Sequence, residues 1–199
     1  MLTSCNVSSL VMDTLCKQAV EENAAVACFY FSFAAKEDQS PAVVLGSVLK
    51  QVVNGLEEVP ERIVRAFRDR EKVIDGQRLM LSEITEILKD ISSSRCTFIF
   101  IDALDECPSE HLENLLDLLN HILQSSPGTR LFTTGRPHIL SEVEEHLGGR
   151  LATRSITPIK DDVMTFIRAM LQEDTMPDAM DESLEEEIMR NIPEAITET

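Results

Sequence analysis

Three carboxylates fall close together in the stretch Thr97 to Cys107, TFIFIDALDEC: Asp102 directly after an apolar run, then Asp105 and Glu106. In an open parallel sheet, ligands bind just beyond the carboxyl ends of the strands, so polar residues there face the site while the strand stays buried. A carboxylate at Asp102 can reach a hydrated Mg²⁺, which takes one or two carboxylates and keeps its other places for waters and phosphate oxygens. Asp105 and Glu106, a turn further on, would face a γ-phosphate and orient or deprotonate a water. A second polar strand end follows in LFTTGRP, where Thr133, Thr134 and Arg136 leave the apolar run together. An Arg fixed by Pro137 can sense a terminal phosphate through charge-assisted hydrogen bonds. The plainer alternative makes the acids caps for a helix opening near Pro108-Ser109, and Arg136 a solvated turn residue.

These groups need elements to position them. Asn6 to Glu22 carries apolar residues at helical spacing, and VACFYFSF (Val26 to Phe33) is short and rich in strand formers. Ser40-Pro41 opens a helix running to about Asn54-Gly55; further helices follow Pro60 and run from about Leu79 to Ser92. Then come the strand CTFIFID, a helix Ser109 to Gln124, the strand TRLFTTG, a helix Ile139 to Leu147 and a weaker strand Leu151 to Thr157. Acidic helices over about Lys160 to Leu171 and Met180 to Asn191 close the chain. Strands alternating with helices of this length predict an α/β fold, with a parallel sheet between helical layers.

Charge excludes some partners. Lys and Arg number 18 against 35 acids, a net charge of −17, which opposes docking on nucleic acid or anionic lipid. From Asp161 to Thr199 the net is −10, so that end should present an exposed acidic face. Five Cys without a CxxC predict neither a disulfide framework nor a zinc site, and no apolar run suits a signal peptide or a membrane span. A cytoplasmic location is expected. The four His (His111, His121, His138, His146) lack metal-ligand spacing and read as surface residues. Cys107 beside His111 has no third orienting group for nucleophilic catalysis, and Phe29, Tyr30, Phe31 and Phe33 lack the basic neighbours of a base-stacking platform.

FIFIDALDEC followed after one helix by RLFTTGRPH resembles the NACHT branch of signal-transduction P-loop NTPases, especially fungal receptors that carry ankyrin or WD repeats. The resemblance covers nearly the whole chain, including VACFYFSF, SPAVVLGSVLKQV and DDVMTFIRAMLQED. It implies a Walker B role for Asp102 as the Mg²⁺ ligand, hydrolytic assistance from Asp105 and Glu106, and a nucleotide-sensing role for Arg136 beside Thr134. It also implies ATP (or GTP) with Mg²⁺ as cofactors, and protein partners reached through following repeats. The departure lies in the phosphate grip: none of the seven Gly precedes a Lys, so GxxxxGK[ST] does not occur.

The expectation is therefore a three-layer α/β sandwich of P-loop NTPase type, incomplete because the P-loop strand is missing. Residues 1–160 would form the nucleotide-binding core without Walker A, and 161–199 would begin a helical subdomain. The intact parent is expected to be a nucleotide-dependent signalling switch and this chain by itself inactive; the alternatives are a non-enzymatic interaction remnant or a helical adaptor for a basic partner. The sheet should hold Val26 to Phe33, Thr97 to Ile101 and Leu131 to Thr134 in one parallel array, with Leu151 to Ile156 detached.

Overall fold

The structure, a computed structural model, describes residues 4–34, 39–56, 58–61, 63–65, 68, 79–149, 151–156, 159–172 and 182–197. Its elements in order are α1 (Ser4–Glu22), β1 (Ala25–Tyr30), α2 (Pro41–Asn54), α3 (Leu81–Ser94), β2 (Thr97–Asp102), α4 (Ser109–Ser125), β3 (Thr129–Thr133), α5 (Leu140–Leu147), α6 (Lys160–Gln172) and α7 (Glu182–Thr197). Part of the helix expected after Pro60 lies outside the described residues; residues 61, 63–65 and 68 are helical. The chain divides into two compact units, Leu10–Leu151 and a smaller one comprising Met1–Ser9 with Ala152–Thr199.

In the larger unit the strands form a parallel sheet in the order β1-β2-β3, with Thr97 level with Ala25 and with Thr129. Each strand follows a helix, and the apolar stretches AVACFY and TFIFI supply β-branched and aromatic side chains that suit a buried pleat. Alternation sends Ala25, Ala27, Ile99 and Ile101 to one face, where they join a core with Val44, Leu45, Leu88, Leu115 and Leu119. Helices α2 to α5 build that side. Cys28, Tyr30, Phe100, Phe132, Asp102 and Thr134 belong to the opposite face. There Phe100 is fully buried between Tyr30 and a stacked Phe132, the last two still 47% and 39% exposed.

The expected three-strand array is present. Leu151 to Ile156 forms no strand and is exposed throughout, while Thr157 lies outside the described residues. Polar Thr153, Arg154 and Ser155 give this segment no apolar face to bury, and a strand needs a neighbour to satisfy its backbone. At α2, Ser40 takes the extended conformation before Pro41, though its hydroxyl makes no cap bond. In the smaller unit, α6 and α7 pack together, and Asp161, Asp162, Glu185, Glu186 and Glu187 are exposed, as an acidic face requires. Among the described residues no helix is long and apolar enough to cross a membrane.

Candidate functional site

The carboxyl ends of β2 and β3 are tied together by one residue. Thr134 donates its N–H to the Ile101 carbonyl at 3.0 Å and accepts the Leu104 N–H on its own carbonyl at 2.8 Å. Its hydroxyl accepts the Ala103 N–H at 3.0 Å and donates to Asp102 Oδ1 at 2.5 Å. The carbonyl of Asp102 accepts the Phe31 N–H at 3.1 Å, so β1 joins the same junction. Asp102 is only 8% exposed. A buried carboxylate is tolerable where donors reach it, and the Thr134 hydroxyl is one such donor.

Directly after Asp102 the chain turns sharply. Ala103 is left-handed at φ 53°, ψ 48°, a conformation that strains a residue with a Cβ and is least costly for a small one. A single 3₁₀ turn, Leu104–Glu106, follows, and Leu104 is fully buried. That turn separates the two later acids. The Asp105 side chain is turned inward at 7% exposure and pairs with Arg136, Nε to Oδ2 at 3.4 Å, while the Arg136 side chain is 75% exposed. Glu106 is half-buried; its N–H donates to the Ala103 carbonyl at 2.9 Å, while its carboxylate has no hydrogen bond or ion pair among the described residues. None of the acids caps α4: its N-cap is Pro108 and no side chain supplies a cap bond.

The two loops pass closely at Gly135. A Cβ there would stand 2.9 Å from Ile139 Cδ1 and 3.5 Å from both the N and the Oδ1 of Asp105. The residues expected to act in one place are thus drawn together in linked pairs, Asp102 with Thr134 and Asp105 with Arg136. Sequence reasoning missed the left-handed Ala103 and the role of Gly135, though the small residues at both positions were visible signals. It also had no access to the threefold use of Thr134, which depends on strand register.

Among the described residues no three His, Cys, Asp or Glu side chains converge to hold a metal by themselves. Mg²⁺ does not require that, since it is commonly held by one or two carboxylates together with phosphate oxygens and water. The donor set here, one buried strand-end carboxylate oriented by a hydroxyl, fits a magnesium ion shared with a phosphate and does not fit a metal caged by protein. The chemistries set aside on the sequence gain no support among the described residues. Burial pushes the Cys107 thiol up to about 11, which keeps it protonated and unreactive beside His111. His146 pairs with Asp117 at 2.7 Å, a link between α5 and α4 on the sheet's helical side.

A family model described as nephrocystin 3, N-terminal, matches residues 6–136, a span that includes every residue of the strand-end cluster. No curated protein and no solved structure matches the chain at a significant level.

Proposed function

This chain belongs to the nephrocystin 3 N-terminal family, and we propose that its strand-end cluster is the metal-and-water half of a NACHT-type nucleotide switch. The observation that carries the proposal is the junction of Asp102 and Thr134 at 2.5 Å on adjacent strand ends, with the Glu106 carboxylate unbonded among the described residues one turn away. Polar groups at this position of a parallel sheet are where α/β proteins bind ligands. In this reading Asp102 would hold Mg²⁺, which when bound would neutralise phosphate charge on ATP or GTP. Glu106 orients the attacking water. Thr134 fixes the Asp102 carboxylate, and Arg136, anchored through Asp105, offers its outer guanidinium nitrogens to the terminal phosphate.

The phosphate grip itself, a GxxxxGK[ST] loop, is not among these 199 residues. Without a positioned phosphate the acids have nothing to act on, so the chain by itself is expected to show no detectable ATP hydrolysis. Turnover that vanishes in Asp102→Asn would contradict this. In a longer protein joining these residues to such a loop, Asp102→Asn is expected to weaken Mg-nucleotide binding, whereas Glu106→Gln slows hydrolysis with affinity retained. Equal loss of affinity in both variants would overturn the division of roles. The second reading, an interaction module that acts without catalysis, rests on the exposed acids of α6 and α7. It requires nucleotide-independent behaviour in the longer protein.

A further inference from the structure

Asp105 and Glu106 are adjacent carboxylates that the turn after β2 sends to different places. The Asp105 side chain is 7% exposed, with Oδ2 3.4 Å from Arg136 Nε, and its Oδ1 lies against Gly135, 3.5 Å from where a Cβ there would stand. Both oxygens therefore face the loop that leaves β3. Among the described residues the Asp105 carboxylate has no other hydrogen bond or ion pair. A group that orients or deprotonates an attacking water must come within hydrogen-bond reach of it. An inward carboxylate committed to an arginine is badly placed for that.

The arginine is held twice. Its backbone is extended at φ −76°, ψ 154°, the conformation favoured before a proline, so Pro137 fixes where the side chain leaves the chain. Asp105 then meets Nε, one corner of the guanidinium. The two Nη nitrogens remain as a fork of the shape that binds phosphate oxygens bidentately. We propose that Asp105 is a positioning residue: by holding that fork it sets how strongly the site prefers a nucleoside triphosphate over the diphosphate, and it takes no part in the water chemistry. The inference rests on the nucleotide reading given above. A long side chain that is already oriented loses less rotamer freedom when its ligand arrives. A diphosphate lacks the group that the fork would meet, so the benefit falls on the triphosphate alone.

The pair itself is tested in the 199-residue chain by ¹H–¹⁵N spectra of the arginine side chains. The Arg136 Nε–H resonance, identified by its loss in Arg136→Lys, should move in Asp105→Asn. An unmoved resonance overturns the inference and leaves the metal-and-water reading as it stands. The consequence is tested by titrating ATP and ADP, with Mg²⁺, into a longer protein that carries a GxxxxGK[ST] loop. Asp105→Asn should lower the preference for ATP over ADP about threefold or more. Because Asp105 acts through Arg136, adding Asp105→Asn to Arg136→Ala should change that preference no further. A preference lost in Arg136→Ala but kept in Asp105→Asn, or equal further loss in the double variant, overturns the positioning role alone. A preference untouched by either substitution removes the sensing role of Arg136 and this inference with it, whereas the metal role of Asp102 is judged separately, by the magnesium dependence of binding.

Discussion

The two ends of the sheet use similar residues for opposite purposes. At the amino end, Asn23 is left-handed at φ 51°, and the guanidinium of Arg95 is consumed by carbonyls: Asn23 O at 2.7 Å, Gly55 O at 2.6 Å and Ala24 O at 3.3 Å. A further bond to Asn23 Oδ1 at 2.9 Å completes its ties. At the carboxyl end, Ala103 is left-handed at φ 53°, and Arg136 makes one contact, with Asp105, while three-quarters of its side chain meets solvent. One arginine closes a turn. The other keeps most of its donors available, beside a carboxylate, Glu106, that has no bonded partner among the described residues. What separates a structural charge from a candidate functional one here is how many of its bonds are already made.

This contrast can be broken most sharply at Arg95. Arg95→Ala strands several carbonyls at once and is expected to destabilise the chain by about 2–3 kcal/mol in urea unfolding. Arg136→Ala, in the same assay, should fall near the low value typical of an exposed ion pair, on the order of 0.5 kcal/mol. If the two variants lose similar stability, the ends are not different in kind. Thr134→Val leaves the Ala103 N–H and a buried Asp102 without the hydroxyl and should lose about 1–2 kcal/mol, largely recovered in Thr134→Ser. A Ser variant no better than Val would mean that the hydroxyl does not hold the junction. Gly135→Ala comes next, because its new Cβ meets only the mobile Cδ1 of Ile139; a loss of about 1 kcal/mol or less is expected.

The smallest effect is expected away from both ends, at His146. The hydrogen bond that its ring donates to the Asp117 carboxylate raises the imidazole pKa. A folded-state value above the unfolded one stabilises the protein fully below about pH 6.5 and loses that contribution as pH rises through the folded value. The stability difference between the native chain and His146→Gln should therefore be present at pH 5.5 and fade at alkaline pH, at a size no greater than a surface pair gives. A difference that grows with pH would reverse the assignment.

Most of the larger unit was legible in the sequence because its signals are strong and local. Pro41 and the apolar spacing of α2, the β-rich FIFI run before Asp102 and the Leu repeat of α4 each fix an element without help from the rest of the chain. The acids and Arg136 were legible as strand-end residues for the same reason. Unreadable features were those set by register and tertiary contact. Gln51 sits in an apolar helix face with nothing to show that its amide closes β1. The inward turn of Asp105 and the outward availability of Glu106, adjacent in sequence, follow from the left-handed Ala103 and the close pass of Gly135. Leu151 to Ile156 reads as a weak strand but pairs with nothing among the described residues, since pairing is a property of two segments and not of one.

The central claim, that Asp102 is placed to hold a metal on a nucleotide, is tested most directly by the magnesium dependence of nucleotide affinity. Isothermal titration with ATP and GTP, with Mg²⁺ and with EDTA, applies to a longer protein in which these residues accompany a GxxxxGK[ST] loop. The account predicts that Mg²⁺ tightens binding of at least one nucleotide about tenfold or more in the native protein, and that Asp102→Asn removes this gain while leaving the metal-free affinity unchanged. An Asp102→Asn protein that keeps the full magnesium effect would contradict it.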